Sequence, residues 1–142
     1  MNTKILRGLI WTARVFVAGV FLYAAWGKIL DPRGFGRDIH NYQMVSDGWV
    51  TLTALFLPWL ELWCAVALLA VSPFRRSAWW LITGMMVVFT YAKISALQRG
   101  LDISCGCTGS DDPMTWMGVA ENLVLLVPCV FALVCDHRWP TR

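Results

Sequence analysis

Apolar residues run through this chain in long blocks, and the polar residues gather between the blocks. A helix needs about 20 largely apolar residues to cross roughly 30 Å of hydrocarbon. Four blocks reach that length, at about 8–30, 49–71, 77–98 and 116–135. The joints are "DPRGFGRDIHNYQMVSDG" (31–48), "SPFRRS" (72–77) and "QRGLDISCGCTGSDDPMT" (98–115), so they alternate long, short, long. The pattern predicts an all-α membrane protein, an antiparallel four-helix transmembrane bundle. Its termini and short joint fall on one face and its two long joints on the other. Lys4 and Arg7 ahead of the first block would suit a secretory signal. The block is too long for one, contains Arg14 and Lys28, and lacks a clean small-x-small cleavage site, so it is read as the first span.

The first long joint carries a pattern of its own. Asp31 can cap a helix with Pro32 at its first position. Phe35, Ile39 and Tyr42 then recur at helical spacing, predicting a short interfacial helix in loop 1. Gly34 and Gly36 count against it.

Composition narrows the class further. The chain is 58% hydrophobic and 15% charged, so nothing is left over for a soluble domain and residues 1–142 read as a single transmembrane domain. A net charge of +3 gives no reason to expect a nucleic-acid partner. Trp11, Trp79, Trp80 and Trp139 fall near one interface and Trp26, Trp49 and Trp116 near the other, which supports the spans. Basic residues barely orient them: six lie on the terminal side and five on or near the loop side. The cysteines add a vote, because close pairs are most useful where disulfides persist. The expected localisation is therefore the inner membrane, multi-pass, with cytoplasmic termini and both long loops periplasmic.

Cys105 and Cys107 are separated only by Gly106, whose freedom allows the sharp turn a disulfide would need. So small a ring is strained, and strain favours exchange over permanence. A staple closing almost no loop would also contribute little. Two alternatives stand beside exchange. One is a fixed local disulfide. The other is half of a soft-metal site, for which His40, Asp102 and Asp111 are the only further candidates, so no metal is assigned. Cys64, Cys129 and Cys135 sit inside spans, where buried packing is the ordinary role of cysteine. Cys64 and Cys129 lie at similar depth, and a second redox pair is the sharper alternative.

Ionisable residues inside the spans carry the next clue. Arg14, Glu61, Lys93 and Glu121 lie within hydrocarbon and Lys28 near its edge, each costly unless paired or wet. Lys28, Lys93 and Glu121 fall within about 10 Å of the loop-side surface and Glu61 at roughly 15 Å, at 1.5 Å per residue. Arg14 approaches Glu61 from the other half, so an Arg14–Glu61 pair is expected. Pro58 should kink the second span just before Glu61. These charges are either a polar lock between helices or a proton path serving the cysteines. A nearby lysine would favour thiolate, and a carboxylate could accept released protons. A pocket lined by Lys28, Arg14, Trp26, Trp59 and Trp63 could hold a flat quinone head group; no other cofactor is suggested. Gly19, Gly84 and Gly118 could allow close helix contacts, within one bundle or between copies.

Three stretches together resemble the MauE branch of the DoxX-like membrane proteins: "RVFVAGVFLYAAWGKILDPRGFGRDIHNY" (14–42), "LPWLEL" (57–62) and "QRGLDISCGCTG" (98–109). The resemblance covers most of the chain. Its specific part is the arginine, glycine, lysine and Asp-Pro of the first span with the late Cys-Gly-Cys, matching at Arg14, Lys28, Asp31, Pro32, Glu61, Cys105 and Cys107. It implies a four-helix membrane protein working with periplasmic thioredoxin-like partners, and in the methylamine-utilisation member a role in maturing a disulfide-rich dehydrogenase subunit. DoxX relatives add an association with quinone-linked sulfur oxidation. Thr108 departs from the pattern, where an aromatic is expected, and bears on the partner surface.

The resulting expectation is a membrane thiol–disulfide redox protein, with Cys105 nearer the membrane acceptor and Cys107 facing the partner. The competing expectations are a non-catalytic assembly subunit with a structural Cys-Gly-Cys disulfide, and a transporter of thiols or metals through the charged bundle.

Overall fold

A computed structural model describes residues 3–101 and 115–138, with side chains over 4–101 and 115–135. Cys105, Cys107, Asp102, Asp111 and the rest of the Cys-Gly-Cys segment lie outside the described residues, as do Trp139 and the side chain of His137.

The described chain is helical, with no strand among the described residues. The elements are α1 (Thr3–Leu30), α2 (Pro32–Asn41), α3 (Asp47–Ala70), α4 (Arg75–Gln98) and α5 (Trp116–Arg138), with a 3₁₀ turn at Ser72–Phe74 before α4. Helices α1, α3, α4 and α5 are each long and apolar enough to cross a membrane. They close a ring in which α1 packs on α3, α3 on α4, α4 on α5, and α5 back on α1. Large apolar side chains such as Phe16, Phe56, Val88 and Val127 stay exposed on its outside, as lipid-facing surface requires. The chain forms a four-helix membrane bundle.

The interior of the ring is apolar toward the terminal side. Val17, Ala18, Phe21, Cys64, Ala65, Leu68, Trp79, Ile82, Cys129 and Ala132 form one buried cluster drawn from all four spans. Alanines at the contacts let the helix axes approach, because lipid tails give apolar side chains no reason to prefer each other and packing must supply the attraction. Three hydroxyls within the spans are satisfied locally: Thr12 donates to the Gly8 carbonyl, Thr53 to Trp49 and Thr90 to Met86.

Helix α2 begins as its sequence predicts. The Asp31 carboxylate accepts the Gly34 amide at 2.9 Å, and Pro32 occupies the first turn. Gly34, which counted against the helix on propensity, is what makes this cap fit: a Cβ there would collide with the Asp31 carboxylate. Gly36 faces α3, where a Cβ would fall 3.7 Å from that of Ala54, at ordinary contact distance.

Gly100 also has a definite role. It ends α4 at φ +66, with its own amide donating to Leu97 and the Leu101 amide donating to Ala96. This pair of bonds is the Schellman stop, which needs a left-handed residue. Arg99 in turn donates to the Tyr42 carbonyl, fastening the end of α4 to the chain leaving α2.

Candidate functional site: a charged centre in the loop-side half

Lys28 sits two residues from the end of α1, yet its ammonium reaches a carboxylate in the middle of α3. Side chains on a helix lean toward its N-terminus. Lys28 therefore leans down into the bundle, and Glu61, on a helix running the other way, leans up to meet it. Ala54 against Gly36 sets about two turns of α3 at the level of α2, so Glu61 lies only about 10 Å below them at 1.5 Å per residue. The Lys28 Nζ donates to Glu61 Oε1 at 2.6 Å and to Oε2 at 2.9 Å. Both side chains are buried, at 4% and 1% exposure. The same ammonium lies 5.0 Å from the ring centre of Phe35 on α2 and 5.2 Å from that of Phe89 on α4. One cation thus joins α1, α2, α3 and α4.

The cation seated on Glu61 is Lys28, which corrects the expected Arg14–Glu61 pair. Arg14 is buried too, but it lies 14 residues before Lys28 on the same helix, about 21 Å along the axis. A depth count along Cα positions ignores both the lean of the side chains and the part of α3 that stands above the end of α1.

A second polar contact closes α4 onto α5. Lys93 is 2% exposed and donates to the Gly118 carbonyl at 3.1 Å and to Asn122 Oδ1 at 3.0 Å. Both acceptors are neutral. Asn122, which sequence reasoning passed over, is 7% exposed, and its Nδ2 has no hydrogen-bond partner among the described residues. An orphaned buried donor of this kind costs about 1–3 kcal/mol. Its signal in the sequence was an amide within a span, one helical turn beyond Gly118 and beside Glu121.

Lys28, Glu61, Lys93, Glu121 and Asn122 share the wall of a cavity of about 110 Å³ between the four spans. Glu121 is the exposed member of the group. Lys28, Lys93 and Glu121, placed at a common depth by the sequence, thus line one cavity together with Glu61. A larger cavity of about 330 Å³ lies between α2 and the α3–α4 wall, lined by Lys28, Phe35, Tyr42, Leu57, Val88 and Phe89. That volume is at the lower end of the ~300–1,000 Å³ usual for small-ligand sites. Trp26, Trp59 and Trp63 line neither cavity: they are 64%, 52% and 67% exposed on the outer surface. Each stands two residues from Lys28 or Glu61, and at 3.6 residues per turn that is about 200° around the helix. A charge facing inward therefore puts those tryptophans outward, and the aromatic wall beside the centre comes from Phe35, Phe89 and Tyr42.

Cys64 and Cys129 are free thiols in the apolar cluster, and Cys129 donates to the Leu125 carbonyl at 3.2 Å. Cys135 is also free. Among the described residues no group of three or more His, Cys, Asp or Glu could hold a metal ion.

Four membrane-spanning helices around a charged centre, with a Cys-Gly-Cys segment between the helices that carry Lys93 and Asn122, define the class of protein. The family described as methylamine utilisation protein MauE matches residues 6–135, and the chain belongs to that family. It is 32% identical over 120 residues to the methylamine utilization protein MauE of Paracoccus denitrificans, covering 82% of this chain and 64% of the relative. The protein of the same name from Methylophilus methylotrophus is 34% identical over 112 residues, covering 78% of this chain and 58% of the relative. That of Paracoccus versutus is 29% identical over 117 residues, covering 81% and 63%. The chain therefore spans less than two thirds of these relatives' own length. No solved structure matches it.

Proposed function

We propose that this chain is an accessory membrane protein of methylamine utilisation, the process its relatives are named for, and that it acts there as a thiol–disulfide redox protein. In this reading the Cys105–Cys107 disulfide is passed to a periplasmic thioredoxin-like or disulfide-rich substrate protein. Two partner thiols become a disulfide, and Cys105 and Cys107 become thiols. With a quinone bound, the thiols of Cys105 and Cys107 would be returned to the disulfide, their two electrons and two protons passing to it. The protein lies in the inner membrane with cytoplasmic termini and the Cys-Gly-Cys segment periplasmic. This supports maturation of a periplasmic protein.

The observation that carries the reading is the charged centre. Four charged side chains, one from each span, and the Asn122 amide gather around one cavity, and two of the charges, Lys93 and Glu121, stand in the turns of α4 and α5 that bracket the Cys-Gly-Cys segment. Burying such groups is costly, and groups that must gain and lose protons explain why three of the four buried charges among the described residues, Lys28, Glu61 and Lys93, lie here and only Arg14 in the other half of the bundle. The apolar cavity under α2, lined by the exposed Val88 and Met44 and reaching Lys28, would take a flat ring with carbonyl oxygens. Its phenylalanines would stack on the ring, and the lysine would face a carbonyl.

Single serine replacements test the role of the pair. Cys105→Ser and Cys107→Ser should each abolish disulfide transfer to a reduced periplasmic substrate, and one of them should trap a mixed disulfide. Full activity in both would remove the redox function. A second reading, a non-catalytic assembly subunit with a fixed Cys-Gly-Cys staple, draws on the Lys28–Glu61 contact, whose two bonds also make a helix lock. It requires a stable stoichiometric complex and a disulfide that resists mild reductant.

A further inference from the structure

The cavity of about 110 Å³ inside the bundle is walled by groups of two kinds. Phe21, Phe89 and Leu125 are apolar; Lys28, Glu61, Lys93, Glu121 and Asn122 are polar, and between them they come from all four spans. Cavities that stay empty in proteins are apolar, whereas a polar cavity with two to four partners for each molecule holds water. At about 30 Å³ per molecule in the liquid, this one has room for about three to four. The unpartnered Nδ2 of Asn122 supplies donors at one wall. Lys93 supplies another: an ammonium has three N–H groups, and its acceptors here are the neutral Gly118 carbonyl and Asn122 Oδ1. Acceptors face them from Glu61, whose oxygens have lone pairs beyond those used by Lys28, and from Glu121.

We propose that this cavity holds a cluster of ordered water, anchored on Asn122 Nδ2 and Lys93, that joins the Lys28–Glu61 pair, Lys93 and Glu121 into one proton-exchanging unit. Glu121, the exposed member, is its port. A proton entering on the Glu121 carboxylate passes to a water, each water accepts one proton and releases one, and the proton arrives on the Glu61 carboxylate. Nothing is oxidised or reduced, and the waters end unchanged. The titratable groups lining the cavity are Lys28 on α1, Glu61 on α3, Lys93 on α4 and Glu121 on α5, so each span contributes one. Asn122 is a positioning residue: it holds the water and carries no proton itself. The inference concerns the cavity alone and does not depend on the thiol chemistry proposed above.

Infrared difference spectra of the full chain in lipid nanodiscs, taken between acid and neutral pH in ordinary and ¹⁸O-labelled water, test it. Water O–H bands that shift with the isotope are expected. They should be at least halved by Asn122→Leu. Ala24→Leu fills the cavity from α1 without removing a polar group, so it keeps the test open if Asn122→Leu does not fold, and it must give the same loss. Glu121→Gln should keep the water bands and remove the protonation response of the interior carboxyl. The proposal is overturned by wild-type spectra without isotope-sensitive bands, by bands that survive both fillings, or by a response unchanged in Glu121→Gln. The same spectra on a chain with Cys105 and Cys107 both replaced by serine separate the two claims. Bands retained there alongside lost disulfide transfer support the water cluster whatever the fate of the redox reading.

Discussion

The two halves of the bundle are built from the same four helices on opposite principles. Toward the termini, Ala18, Ala65, Leu68, Trp79, Ile82 and Ala132 interlock into a dry core. Toward the loops, Lys28, Glu61, Lys93 and Asn122 are buried around a cavity, at a desolvation cost that packing alone would never require. Arg14 is the one charged side chain in the described residues that is buried away from this centre. The difference teaches a division of labour. The dry half holds the ring closed, so the other half can tolerate charges, space and the interfacial helix.

The comparison breaks most severely at the ion pair. Glu61→Leu leaves a buried ammonium uncompensated and should cost about 3–5 kcal/mol, read as a fall in unfolding free energy in detergent or bilayer. Adding Lys28→Met should restore most of it. A double variant no better than the single one would mean that the pair is not an interacting unit. Leu68→Ala in the dry half should cost about 2–5 kcal/mol through the cavity it leaves, while disulfide transfer by the folded fraction stays unchanged. Loss of that activity at full folding would blur the division. Lys93→Met removes the donor from Gly118 and Asn122 and should cost about 1–3 kcal/mol, with faster hydrogen exchange confined to the first turns of α5. The smallest effect is expected at Gly34→Ala, where a Cβ collides with the capping carboxylate. About 1 kcal/mol of cap energy is lost and the amides of α2 exchange faster, while the four spans are untouched.

The spans were legible because a bilayer demands about 20 apolar residues in a row, and little else in a sequence looks like that. α2 was legible from Asp31, Pro32 and the spacing of Phe35, Ile39 and Tyr42, since capping and amphipathicity are local signals. What pairs with Glu61 was not, because it depends on side-chain lean and on how far α3 stands above α1. The outward turn of Trp59 and Trp63 was available in the sequence from their spacing around Glu61, but only once Glu61 was known to face inward. Asn122 draws no notice in the sequence because an amide carries no charge, although once buried it still demands hydrogen-bond partners.

The central claim is that the loop-side half serves redox chemistry at Cys105 and Cys107. Its most direct test is a redox titration of that pair in membrane vesicles of known orientation, scored by an impermeant maleimide with and without added quinone. The account predicts labelling from the periplasmic side only, a potential well above about −250 mV as a disulfide donor requires, and a reduced fraction that falls when quinone is added. A pair that stays oxidised far below that potential, indifferent to quinone, would contradict it and make the Cys-Gly-Cys a staple.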